Sequence, residues 1–171
     1  MSVARTSCMN NGWKLQDVID LQDSGLFYGE YESCEYCHHE QIRFVHILHH
    51  PNHPNPIRVG CICAERLTND SITPKKREQA LRKRAERRKR WLKRNWIWSQ
   101  KGNLYLAFTD RETHEKHCVG IMPREDYYKV WIDEDRGTLQ YPTQELAQLK
   151  IFEVLERRRE HNVSDNNHRP Q

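Results

Sequence analysis

Cys34-Glu35-Tyr36-Cys37 and, 23 residues further on, Cys61-Ile62-Cys63 decide how this chain is read. A tetrahedral zinc ion takes four thiolates at about 2.3 Å, and two short-range cysteine pairs joined by a hairpin supply them with little strain. Cys34 and Cys37 suit a tight knuckle. Between the pairs, Gln41-Ile42-Arg43-Phe44-Val45-His46-Ile47-Leu48 has the β-branched and apolar content of a strand, and Ile57-Arg58-Val59 is its return. Pro51, Pro54 and Pro56 hold the turn. Ala64-Glu65-Arg66-Leu67 follows the second pair, so Cys61 and Cys63 are expected at a helix N-terminus, where backbone N–H groups and the helix dipole favour thiolate.

Knuckle, hairpin and helix-borne ligands, in that order, describe a treble-clef zinc finger. Cys34, Cys37, Cys61 and Cys63 are its expected ligands, holding one structural Zn2+ per chain, with His38 or His39 as a variant donor. The second pair departs from the commoner spacing, having one residue between its cysteines where two are usual. No apolar signal segment follows Met1, so paired cysteines here are read as metal ligands in a cytoplasmic protein rather than as disulfides.

The chain has 171 residues, 36% hydrophobic content and a mean hydropathy of −0.99, which leaves room for one or two small domains with modest cores. No stretch approaches the roughly 20 apolar residues of a membrane span. The formal net charge of +4 conceals a partition along the chain. Residues 1–60 carry a net −3, residues 61–100 a net +9, residues 101–156 a net −4 and residues 157–171 a net +2.

The positive segment coincides with a long helix expected over about 74–94, with Thr73 as cap and Pro74 as first residue. Leu81, Ala85, Leu92 and Trp96 form one narrow apolar stripe on an otherwise cationic cylinder. Such a density of cations neutralises phosphates and confers salt-sensitive affinity. Lys83, Arg84, Arg87, Arg88, Lys89, Arg90, Lys93 and Arg94 are the candidate phosphate contacts, with DNA and RNA both open. Trp91, Trp96 and Trp98 either stack on bases or belong to the core. Docking on an acidic protein surface is the competing use of the same charge.

Five segments are expected: a tail and short helix over 1–29, the helix spanning Trp13–Ser24 with Gly25 as stop signal; the zinc finger over 30–68; the basic helix and linker over 69–100; an antiparallel sheet with a covering helix over 101–158; and a disordered tail over 159–171. Beyond Gly102 the apolar period changes to two, placing strands at Leu104–Phe108, Lys116–Met122, Tyr127–Asp133 and Thr138–Tyr141, with a turn at Asp135-Arg136-Gly137. Pro142-Thr143 then opens a helix to about Arg158. The fold class is therefore α+β.

No nucleophile elbow, phosphate-cradling glycine loop or paired catalytic carboxylate is visible, and the chain is read as a non-enzyme. The histidines around the hairpin leave a metal-dependent nuclease using His49 or His50 as the one enzymatic alternative. His114, His117 and Cys118 are read as surface residues, and Cys8 is unassigned.

The stretch from Cys34-Glu35-Tyr36-Cys37 through Ile42-Arg43-Phe44-Val45-His46 to Val59-Gly60-Cys61-Ile62-Cys63-Ala64-Glu65-Arg66-Leu67 resembles a zinc-finger module of small bacterial, phage or plasmid proteins. The hairpin with its Gly-Cys-x-Cys-Ala-Glu exit carries the likeness, over about a fifth of the chain. That resemblance implies a zinc protein of bacterial or mobile-element origin and implies no reaction.

Overall fold

The computed structural model describes residues 12–23 and 31–166. The expected N-terminal tail, Cys8, the Gly25 stop signal and the last five residues lie outside them. The chain is α+β, with three helices and two antiparallel sheets among the described residues. It divides into two compact units, Met1–Glu86 and Arg87–Gln171.

In the first unit, strands β1 (Lys14–Asp20), β2 (Phe44–His49) and β3 (Ile57–Val59) form a sheet in that order. Lys14–Asp20 is thus a strand where a helix over Trp13–Ser24 was expected. Leu15, Val18 and Ile19 have the helical spacing i, i+3 and i+4, and pairing with β2 overrides it: Val18 lies opposite His46 and Leu15 opposite Leu48, the bulge between Leu15 and Asp17 bringing both to one face. Asp20 then accepts both hydrogen bonds of the Arg43 guanidinium, at 2.7 and 2.8 Å, which fixes the end of the pair.

β2 and β3 are the expected hairpin, with His46 opposite Val59 and Leu48 opposite Ile57. Helix α1 (Cys61–Thr68) follows directly, capped at its start by Gly60 and at its end by Asn69 in the left-handed conformation. Cys34, Leu48, Val59, Cys63, Ala64 and Leu67 form one apolar cluster of this unit, and Val18, Phe44, Val45 and His46 are buried as well.

Helix α2 (Thr73–Leu92) occupies the basic segment. Thr73 is its first residue and not its cap. Asp70 serves the helix start instead, its Oδ1 accepting the N–H groups of Ile72 and Thr73.

The second unit holds a five-stranded meander of β4 (Ile97–Trp98), β5 (Leu104–Thr109), β6 (Lys116–Pro123), β7 (Tyr128–Ile132) and β8 (Asp135–Arg136). Between β4 and β5 the chain reverses through Gly102 at φ +72°, a conformation that favours glycine. The turn expected at Asp135-Arg136-Gly137 falls earlier. Asp133 takes φ +57°, its backbone N–H donates to Cys118 O and its carboxylate accepts the Cys118 N–H, so Asp135 and Arg136 are carried back into the sheet as β8. Thr138–Tyr141 contributes only a bridge from Tyr141 to Tyr128 instead of a strand.

Helix α3 (Gln144–Asn166) packs on β6 and β7. It continues through most of the tail expected to be disordered; Glu156, Arg158 and Arg159 bind it to its own unit through ion pairs. Its Ala147, Ile151 and Phe152 close a core with Trp91, Leu104, Val119, Ile121, Val130 and Ile132. Gly120 makes room for the Trp131 ring, whose atoms lie 2.0 Å from where a Cβ would be.

Candidate metal centre

The knuckle forms because the chain folds tightly after Cys34. The Cys34 carbonyl accepts the N–H of His38 at 2.8 Å, the Cys34 N–H donates to His39 O at 2.9 Å, and His38 takes φ +58°. Two further contacts tie the knuckle to β3: Glu35 N–H donates to Arg58 O, and the Arg58 guanidinium spans the Glu32 carboxylate at 2.7 and 2.8 Å.

This geometry brings Cys34, Cys37 and Cys63 together, their sulfurs within 4.8 Å of one another, close enough to bind one metal ion. Cys34 and Cys63 are buried and Cys37 is exposed. Burial pushes the Cys34 thiol up, but the backbone N–H groups of Cys37, Gly60 and Tyr36 outweigh it and bring it down to about 7. Burial, with the neighbouring Cys37 and Cys34, pushes the Cys63 thiol up to about 12. Three crowded thiols do not all ionise without a cation to offset their charge.

The fourth expected ligand is elsewhere. Successive residues on an α-helix turn by about 100°, so cysteines two apart project about 200° apart, on opposite sides of α1. A spacing of three residues would have returned both thiols to one side. Cys61 instead lies with His46 of β2 and Glu78 of α2. Its Sγ is 3.4 Å from Glu65 Oε1, and burial, followed by the charges of Glu78 and Glu65, pushes its thiol up to about 12. His46 and Glu78 were not singled out from the sequence as partners of Cys61. A signal existed in the single-residue spacing, which on a helix already separates the two thiols.

The two groups of candidate metal ligands among the described residues contain neither His49 nor His50. His49 is exposed, and the His50 ring packs against Trp13 at 5.1 Å while its Nδ1 accepts the Asn52 N–H. His117 is half-buried, with its Nδ1 3.0 Å from Asp133 Oδ2, where Arg158 also donates. Cys118 is exposed.

The candidate phosphate contacts separate into two sets. Arg84 pairs with Asp23, Arg87 with Glu156, and Arg94 lies over the rings of Trp91 and Phe108. Arg88 is half-buried and has a partner within the protein. Lys83, Lys89, Arg90 and Lys93 are exposed, as is Lys76, and none of the five has a side-chain hydrogen bond or ion pair among the described residues. The tryptophans separate in the same way. Trp91 is buried and donates its indole N–H to Gln148 O at 2.8 Å; Trp96 packs edge-on against it; Trp98 is 62% exposed.

Comparison with protein-family models, with curated proteins and with solved structures finds no match. No helix among the described residues is long and apolar enough to cross a membrane.

Proposed function

We propose that this is a zinc-stabilised nucleic-acid-binding protein that grips phosphates through α2. The observation that carries this reading is the set of exposed cations on that helix, Lys76, Lys83, Lys89, Arg90 and Lys93, which are without acidic partners while their neighbours Arg84 and Arg87 are held in internal ion pairs. A helix that serves only as a solvated face intersperses acids to balance such charges. Lysine and arginine side chains left open to solvent are suited to the phosphate backbone, where displaced counterions supply the affinity. Trp98, exposed on β4, offers a ring on which an unpaired base can stack.

Zinc at Cys34, Cys37 and Cys63 fits the donor chemistry and the order of knuckle, hairpin and helix, which supports a treble-clef arrangement. The fourth donor is left to His38 or His39 of the knuckle or to water. Three thiolates more than neutralise the ion, making it a weak Lewis acid and suiting it to a structural role.

Binding of purified, nucleic-acid-free protein to duplex and single-stranded oligonucleotides across a salt series tests this reading. With five phosphates neutralised on a duplex, log K falls with log salt at a slope of about −4.5. Replacing Lys83, Lys89, Arg90 and Lys93 together by Glu abolishes binding while leaving the melting temperature within a few degrees. Absence of salt-dependent affinity for every strand tried overturns the reading in favour of docking on an acidic protein.

A further inference from the structure

The cluster that Cys61 enters is assembled from three elements, and one donor atom each of His46, Cys61 and Glu78 lies within 4.8 Å of the other two. Tetrahedral sites with bonds of 2.0–2.3 Å have donor–donor edges of roughly 3.5 Å, so modest contraction around an ion closes this group. Imidazole, thiolate and carboxylate together are a donor set for a borderline divalent cation.

Several neighbouring contacts fit the same role. The His46 ring is fully buried; its Nε2 lies 3.3 Å from Pro74 O and 3.7 Å from Glu78 Oε2, and its Nδ1 has no hydrogen-bond partner. Neutral imidazole binds metal through one nitrogen while the other carries the proton, and a buried ring with one nitrogen unpartnered has that form open to it. Glu65, one helical turn after Cys61, places Oε1 3.4 Å from Sγ while its other oxygen is held by Lys75 at 2.9 Å. Each carboxylate is held by a cation through one oxygen, Glu65 by Lys75 at 2.9 Å and Glu78 by Arg82 at 2.6 Å, which leaves Glu65 Oε1 beside the thiol and Glu78 Oε2 toward the buried ring as donors.

We propose that His46, Cys61 and Glu78, with Glu65 as fourth donor, form a second divalent-metal site of the zinc and cobalt(II) class, separate from the Cys34, Cys37 and Cys63 cluster. The Cys61-x-Cys63 spacing then has a purpose: one short helix start sends a thiol to each of two ions. The site stands independently of nucleic-acid binding.

The test uses the full chain, reduced and stripped of metal, titrated with Co2+ and followed by visible absorption and native mass spectrometry. The expected count is two ions per chain. Glu78→Gln and His46→Gln each lower it to one and leave the intense thiolate-to-cobalt bands of the three-cysteine cluster unchanged. Absence of the intense bands from the unaltered protein marks failure of the first cluster, whereas intense bands with a count of one mark failure of the second, so the two failures are distinguishable. Glu78 is not at the centre of the core, and Glu78→Gln decides the matter if His46→Gln does not fold. One ion in the unaltered protein overturns the proposal, as does a count of two that persists in Glu78→Gln.

Discussion

The two units hold themselves together by different means. In the apolar cluster of the first, two of the six buried residues are cysteines, and the remainder are Leu48, Val59, Ala64 and Leu67. In the second, nine buried apolar residues form one cluster that includes Trp91 and Phe152, and the adjoining polar group is a carboxylate saturated by arginine. Apolar burial contributes free energy in proportion to area, at about 25 cal/mol per Å2, so a cluster of six residues with no aromatic ring has less to draw on than one of nine. On the proposed reading, a metal ion at Cys34, Cys37 and Cys63 supplements it.

Metal removal breaks this comparison most sharply. Chelation of the bound ion, or Cys34→Ser, is expected to unfold the first unit entirely, since structural zinc contributes about 10 kcal/mol to small domains that depend on it. The second unit retains its own thermal transition. Loss of both transitions together, or of neither, as followed by amide NMR signals during chelation, contradicts the division.

Glu156 probes the second unit. Its side chain is 5% exposed, accepts hydrogen bonds from Arg87 and is also paired with Arg159 at 2.5 Å. Glu156→Ala leaves two arginines facing an unfilled site and is expected to cost about 3 kcal/mol, measured by denaturant unfolding. The first unit's transition does not move.

A smaller effect separates the units by pH. Burial raises the Asp110 carboxyl, but hydrogen bonds from Arg159 and from the Glu112 and Thr113 N–H groups outweigh it and bring it down to about 2 from an ordinary 3.8. A folded-state value below the unfolded one means that stability is present above about pH 4 and is lost as the pH falls toward 2. The contribution is on the order of 2 kcal/mol, and Asp110→Asn removes this pH dependence from the second unit's transition.

The legibility of the sequence follows the same line. The β2–β3 hairpin, α1, α2, β5 through β7 and the start of α3 were readable because each has a period or a boundary residue that acts locally. β1 differs from the expected helix because Leu15, Val18 and Ile19 are spaced as on a helix, and only the partner strand and the bulge after Leu15 place them in a sheet. β4 was missed because two residues carry no period at all, and β8 because Asp133, rather than Gly137, takes the positive φ. Of the expected metal ligands, Cys34, Cys37 and Cys63 converge; Cys61 does not, because a helix turns it away. Of the eight candidate phosphate contacts, Arg84 and Arg87 are directed to acids far off in sequence, Arg94 covers two rings, and Arg88 has a partner within the protein.

By itself, then, the sequence determined the β2–β3 hairpin, β5 to β7 and the three helices, that cysteines cluster about that hairpin, and that positive charge gathers on one helix, since these depend on spacing and composition along the chain. The tertiary structure decided which thiols share a site and which arginines remain available. Both are settled by direction in space, as the helix rotates Cys61 toward His46 and Glu78, and Asp23 and Glu156 arrive from distant segments to engage charges that composition alone counts as free.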